Sequence, residues 1–362
     1  MVEWARGKVI KRLGGKDNVK KYKLPEAARG RLLRWFDGNK RDLPWRKTSD
    51  AYKIWVSEIM LQQTQVSTVI PFYRRFVEEF PTCAALAAAS GDRVLQFWSG
   101  LGYYSRARSL HRAAREIMRN HAGRFPSLFG AALGLPGVGR YTAGAVLSIA
   151  YGKPFPVLDA NVMRVFARLF ALRRNLKDAA VQKELWAAAE DLISVERPGD
   201  WNQALMELGA LVCVPENPRC RNCPVRGACR ARRRGLENAL PDTGKKPAGV
   251  PVVLSCLLAG QGGKLLLEKR PKDARFLPGH WGLPEISPLK APVQEPVLTV
   301  RHCITRHNIR LGVYRSAVPK PFPSNYRWVA RENLDRYLVS SLWKKVLAGY
   351  SSSLKSSRSP AE

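Results

Sequence analysis

Long apolar runs are missing from this chain of 362 residues. Its longest, such as AALAAAS and GAVLSIAYG, fall far short of the ~20 residues that a membrane-spanning helix needs. The opening stretch, MVEWARGKVIKRLGGKDNVKKYK, is basic and has no continuous apolar core of the kind a secretory signal carries. An intracellular, cytoplasmic location follows as the expectation, with no membrane partner. Acidic residues are scarce too: 29 Asp and Glu stand against 61 Lys and Arg, a formal net charge of +32. So large an excess calls for a polyanionic partner, nucleic acid ahead of an anionic membrane. Alternation with period two is almost absent before residue 230, which argues against a large N-terminal sheet. No long-period repeat stands out, so a solenoid is excluded.

What is present divides the chain. At this length two domains are the default, and an apolar fraction of 45% supplies ordinary cores. Apolar residues recur at three- and four-residue spacing through 52–81, 105–121, 158–172, 181–193 and 200–213, so the region reads as all-α. After Cys229 the character changes. Residues 230–250 are charged and rich in Gly and Pro, a linker. Strand-like runs follow at 252–259, 264–270, 310–318 and 326–329, then a helix at 340–350. The expected division is a basic arm over 1–24, an all-α domain over 25–229, a linker over 230–250, a small α+β domain over 251–350 and a disordered tail over 351–362.

Three features carry chemistry. In LPGVGRYTA (135–143), Gly137 and Gly139 sit just before a helix start. Such a turn leaves backbone N–H groups open at the helix N-terminus, an anion site that suits a DNA phosphate; an ordinary helix–helix turn fits the same letters. Two carboxylates come next. Glu58 lies in IWVSEIMLQQ, on a helix beside Ile54, Trp55 and Leu61, where desolvation would raise its pKa as a general acid requires. Asp159 opens the helix of PVLDANVMRV, where an N-cap is the commoner role. Finally Cys213, Cys220, Cys223 and Cys229 follow the spacing C-x6-C-x2-C-x5-C. Four such thiols in a reducing compartment imply a metal centre, either zinc or a cube-shaped iron–sulfur cluster.

LPGVGRYTAGAV followed by Asp159 resembles the helix-hairpin-helix motif of the endonuclease III superfamily of base-excision DNA glycosylases. LPWRKTSDAYKIWVSEIMLQQTQVSTVIPFYRRF (43–76) and WSGLGYYSRARSLH (98–111) resemble the signatures of its MutY-type adenine glycosylases, and the match extends over most of residues 30–230. FLPGHWGLPE (276–285) resembles their MutT-like (Nudix-like) C-terminal domain, without the REx2EE cluster of true Nudix hydrolases.

The resemblance implies a two-lobed all-α glycosylase fold with a [4Fe–4S] loop, then an α+β domain that reads 8-oxoguanine. It makes Glu58 the acid that protonates adenine, and Asp159 the carboxylate that stabilises the sugar cation or covalent intermediate, supported by Asn161. Arg41, Trp45 and Arg46 help form the adenine pocket. Leu61, Gln63 and Tyr104 contact the DNA, the last two entering the base stack, and Gly137 and Gly139 grip a phosphate. Cys213, Cys220, Cys223 and Cys229 ligate the cluster. In RHCITRHNIRL (301–311), Thr305 stands in the lesion-reading loop. Strand-nicking members carry a lysine where this chain has Tyr141, and some MutY-type proteins carry one where it has Met163. The expected enzyme is therefore a monomeric, monofunctional glycosylase acting on A:8-oxoguanine or A:G in duplex DNA, with the Tyr141 hydroxyl on Asp159. A bifunctional glycosylase/lyase and a non-catalytic damage-binding protein are the competing readings.

Overall fold

The computed structural model describes residues 22–244, 248–286, 295–315 and 324–356, with side chains up to 350. Helices α1 (Glu26–Asn39) to α12 (Arg230–Arg233) fill the first part. They are α2 (Ala51–Leu61), α3 (Val66–Glu79), α4 (Cys83–Ala88), α5 (Gly91–Trp98), α6 (Tyr104–Asn120), α7 (Phe129–Leu133), α8 (Arg140–Tyr151), α9 (Ala160–Leu169), α10 (Ala179–Leu192) and α11 (Pro198–Leu211). The helix expected over 52–81 is two helices. Leu61 ends α2, Gln63 takes a left-handed backbone at φ 58°, and α3 restarts at Val66.

Strands β1 (Val250–Leu258), β2 (Gly260–Gln261), β3 (Lys264–Lys269), β4 (Trp281–Gly282), β5 (Glu285–Ile286), β6 (Leu298–Ile304), β7 (His307–Arg315) and β8 (Tyr326–Ala330) follow, then helices α13 (Leu334–Tyr337) and α14 (Ser341–Ser356). One sheet has the order β5-β1-β7-β6, with β1 and β7 parallel; the other joins β2, β4 and β8 antiparallel to β3. The chain is thus multidomain, helical first and α+β after. Strands β2, β4 and β5 are two residues long, too short for any period to reveal them.

Compactness does not follow chain order. One unit runs up to Ile59 and resumes from Arg124 to Gly244. The other runs from Met60 to Gly123 and takes in the described residues after Gly244. The expected linker is partly structured: Ala231 and Leu240 are buried in the first unit's core, and Arg168 Nε donates to the Leu240 carbonyl at 2.8 Å. The expected tail is also shorter, because α14 continues through Ser356; residues 357–362, like the basic arm up to residue 21, lie outside the described residues.

The first unit's core holds Leu32, Phe36, Val165, Phe166, Leu185, Trp201 and Leu205. Gly209 lets α11 touch the start of α9, since a Cβ there would stand 2.7 Å from Asn161 Cβ. That approach fixes the backbone of the segment that carries Asp159 and Asn161. In the second unit, Leu254, Leu265, Leu267, Leu311 and Val313 from both sheets pack with Trp343 of α14.

Candidate active site and cysteine cavity

Glu58 projects from α2, between turns that carry the fully buried Ile54 and Trp55, and is itself 4% exposed. Burial pushes its carboxyl up to about 7, opposed by a hydrogen bond from Tyr141 and helped by the Asp159 charge. The Tyr141 hydroxyl donates to Glu58 Oε2 at 2.8 Å, not to Asp159 as expected from the sequence. Tyr141 comes from the first turn of α8, so the glycine turn and the buried acid meet through it. Gly137 has φ 79°, a backbone that suits glycine, and Gly139 caps α8 with no side-chain acceptor. The first-turn N–H groups of α8 therefore open toward an external acceptor.

Asp159 is both an N-cap and a held carboxylate. Its Oδ1 accepts from Val162 N at 2.7 Å and its Oδ2 from Asn161 Nδ2 at 2.8 Å. Burial raises its pKa, and those two donors oppose the rise. The chain of contacts continues outward: Arg164 donates to Asn161 Oδ1 and to the Gly209 and Cys213 carbonyls, each at 2.8 Å. The Asp159 carboxylate is therefore tied through two residues, Asn161 and Arg164, to the backbone of Cys213.

Arg41 and Arg46, expected in a base pocket, converge instead on Glu207 of α11, which is 1% exposed. Arg41 donates from its backbone N, Nε and Nη2 at 2.7–2.9 Å, and Arg46 from Nη1 and Nη2 at 2.9–3.0 Å. Burial alone would raise the Glu207 carboxyl, yet the Arg41 and then Arg46 hydrogen bonds hold it down at about 2. Trp45, between the two arginines in sequence, is buried. Glu207 was missed by the sequence reading. Its signal was that of Glu58, an acid on the apolar face of a helix, here beside Ala204 and Leu208.

Tyr104 does not reach the surface. Its hydroxyl donates to the Val339 carbonyl at 2.8 Å and its ring meets His280 edge-on, so it cannot wedge between bases. Its neighbour Tyr103 is the exposed aromatic, 43% accessible and left-handed at φ 48°. Gln63 is exposed and left-handed as well, while Leu61 is half-buried. Arg106 anchors both turns, donating to the Met60 and Gly102 carbonyls at 2.8 and 3.3 Å and to Thr64 Oγ1 at 3.1 Å. Thr305 occupies a two-residue β6–β7 hairpin tip rather than an open loop, and its hydroxyl turns onto the Ile304 carbonyl at 2.6 Å.

Cys213, Cys220, Cys223 and Cys229 line one cavity together with Arg168, Val212 and Glu237. Arg168 is 2% exposed and was not singled out from the sequence. It donates to the Cys213 Sγ at 3.4 Å and to the Val214 and Pro215 carbonyls at 2.6 Å, while the Cys229 thiol donates to the Arg168 carbonyl at 3.5 Å. Among the described residues, no three His, Cys, Asp or Glu side chains are placed to hold a single metal ion.

The profile of the HhH-GPD superfamily base excision DNA repair protein matches residues 56–191. The human adenine DNA glycosylase is 35% identical over 404 aligned positions, covering 90% of this chain and 74% of the human protein. The chain belongs to the adenine DNA glycosylase family. It is a base-excision-repair enzyme, and the rat adenine DNA glycosylase is 47% identical to it over 64% of this chain and 46% of the rat protein. Among solved structures, a thermostable thymine-DNA glycosylase aligns with a TM-score of 0.53 at 30% identity, covering 58% of this chain and 96% of its own. A trapped endonuclease III–DNA covalent intermediate aligns with a TM-score of 0.50 at 23% identity, which shows that the adenine glycosylase family member shares its helical fold.

Proposed function

We propose that the enzyme hydrolyses the N-glycosidic bond of adenine opposite 8-oxoguanine or guanine in duplex DNA and leaves the strand uncut. The observation that carries this reading is Glu58, a buried carboxyl near pKa 7 that holds a proton where a base leaves. Glu58 donates that proton to the adenine as the bond from the sugar C1′ to the base breaks. Asp159 lies close enough to Glu58 to raise its pKa, and its charge offsets the developing sugar cation. Water adds to C1′, and its proton returns to Glu58. Tyr141 stabilises Glu58 in the ionised state that exists between those two steps. The +32 charge and the open first turn of α8 support binding to the DNA backbone.

A strand-cutting lyase needs an amine at the sugar. Positions 141 and 163 hold Tyr and Met, and Lys153 donates to the Ser127 carbonyl at 2.6 Å. A duplex containing A:8-oxoguanine should therefore break only after alkali treatment. Breakage without alkali, or a covalent adduct trapped by borohydride, would reverse the monofunctional reading.

The four cysteines suit a [4Fe–4S] cluster. They line one cavity, and their spacing holds a single C-x2-C pair where a four-cysteine zinc site usually has two close pairs, while a cube-shaped cluster also takes four cysteines. When bound, the cluster supplies four iron–thiolate bonds that pin the loop of residues 213–229. Purified protein should contain about four irons and four sulfides per chain; one zinc and no iron would contradict the assignment.

A further inference from the structure

Within the second unit, α5 faces β4 and α13 across a cavity of about 240 Å³. Two of its lining residues, His280 and Trp281, are 2% and 9% exposed. Arg108 Nη1 lies 2.9 Å from His280 Nε2. A guanidinium only donates, so Nε2 accepts and the ring proton sits on Nδ1. Burial, with Arg108 and Arg270 close by, pushes the imidazole down to about 3 and keeps it neutral. Neither His280 Nδ1 nor Trp281 Nε1 finds an acceptor among the described residues. Two adjacent buried N–H groups left in this state are costly unless an acceptor reaches them, and both residues line the cavity.

The charges around the cavity select the same kind of occupant. Arg93, Arg327 and Arg336 line it. Arg93 is paired with Glu79, and the acid of the lining, Asp92, is paired with Lys269 at 3.4 Å. Arg327 and Arg336 have no carboxylate partner among the described residues. Arg327 donates to the Tyr337 hydroxyl at 3.3 Å, which leaves that hydroxyl's own proton to donate. Ser90 and Gln96 add neutral polar groups, and the wall keeps an excess of positive charge. Arg327 and Lys269 also lie over the Trp281 ring, at 5.3 and 5.5 Å from its centroid, which adds cations beside the cavity. A compact anion rich in acceptors fits these demands.

We propose that this cavity binds a phosphate group, held by the N–H groups of His280 and Trp281 and by the guanidinium groups of Arg327 and Arg336. The phosphate belongs either to a free phosphate ester or to the DNA backbone. Full-length protein is titrated calorimetrically with inorganic phosphate, as wild type, as Arg336→Gln and as Arg119→Gln. Arg119 is an exposed arginine of α6 that does not line the cavity. Saturable binding of one phosphate, weakened about tenfold or more in Arg336→Gln and unchanged in Arg119→Gln, is the expected result. Equal affinity in all three proteins, or no saturable binding at all, overturns the proposal.

Undamaged duplex DNA separates the sources. A loss of duplex affinity confined to Arg336→Gln assigns the site to a backbone phosphate, and unchanged duplex affinity assigns it to a free phosphate ester. A second readout needs no variant: the Trp281 indole N–H resonance should shift as phosphate is added to the wild type. An unmoved resonance at saturating phosphate also overturns the proposal.

Discussion

Glu58→Gln is expected to slow single-turnover release of adenine by about 10²–10⁴-fold, the usual contribution of a general acid. Glutamine keeps the size of the side chain and its contact with the Tyr141 hydroxyl, but has no proton to give. DNA affinity should stay within a few-fold, because Glu58 is buried and contributes no backbone contact. The wild-type rate should fall as pH rises through about 7, where Glu58 loses its proton, and the residual rate of the glutamine variant should not follow that curve.

Wild-type stability should fall over the same pH range, and the glutamine variant should be the more stable protein at high pH. The folded pKa of Glu58 lies above its unfolded value of 4.5, so the folded state binds the proton more tightly. That contribution is fully present below pH 4.5 and is lost as pH rises toward and past 7. Above pH 7 the ionised wild type is destabilised by about 3 kcal/mol, and the glutamine variant should recover most of that in urea unfolding. An active glutamine variant, or one with the wild-type pH profile, would remove Glu58 from the chemistry.

The second large effect concerns Glu207. Replacing it with Gln leaves the guanidinium groups of Arg41 and Arg46 facing each other without a counter-charge. Breaking a buried pair in this manner costs about 3–5 kcal/mol. Arg41 is a third exposed and can turn toward water, so the lower end of that range is expected. The sign with pH is opposite to that of Glu58. The folded Glu207 carboxyl sits near 2, below its unfolded value, so its stabilisation is present above about pH 4.5 and lost as pH falls toward 2. Urea unfolding at pH 7 and pH 3 should show a large gap between wild type and Glu207→Gln at the higher pH, narrowing at the lower. An equal gap at both values would mean that the carboxylate charge is not what holds the two arginines. Adenine release should also weaken, because Arg46 acts on the charge state of Glu58.

Residues whose role depends on local sequence were legible. Asp159 opens a helix because an acid before an apolar stripe caps it, and it does so here while Asn161 holds its second oxygen. Gly137 read as a turn residue, and its φ of 79° before a helix start is one that few other residues tolerate. The four cysteines read as one site from spacing alone, and they share one cavity. Glu58 stood out because an acid three and four residues from Ile54, Trp55 and Leu61 on a helix cannot easily stay in water.

Contacts made across long stretches of chain were not legible. Arg41 and Arg46 carry the same letters whether they face a base or Glu207, more than 160 residues later for both partners' nearest approach. Tyr103 and Tyr104 are chemically identical neighbours, and only the Val339 carbonyl and the left-handed turn decide which of them is buried. Arg168 looked like one more basic residue on an amphipathic helix until the loop of residues 213–215 folded over it.

By itself the sequence determined the helical class, the carboxylate pair, the thiol set and the lack of an amine where a lyase needs one, because each is a matter of residue type and short spacing. Only the tertiary structure decided that Tyr141 serves Glu58, that two arginines are committed to Glu207, and that His280 and Trp281 keep open donors in one cavity. Those outcomes depend on which side chain first meets a partner when water is excluded, and no local pattern encodes that meeting.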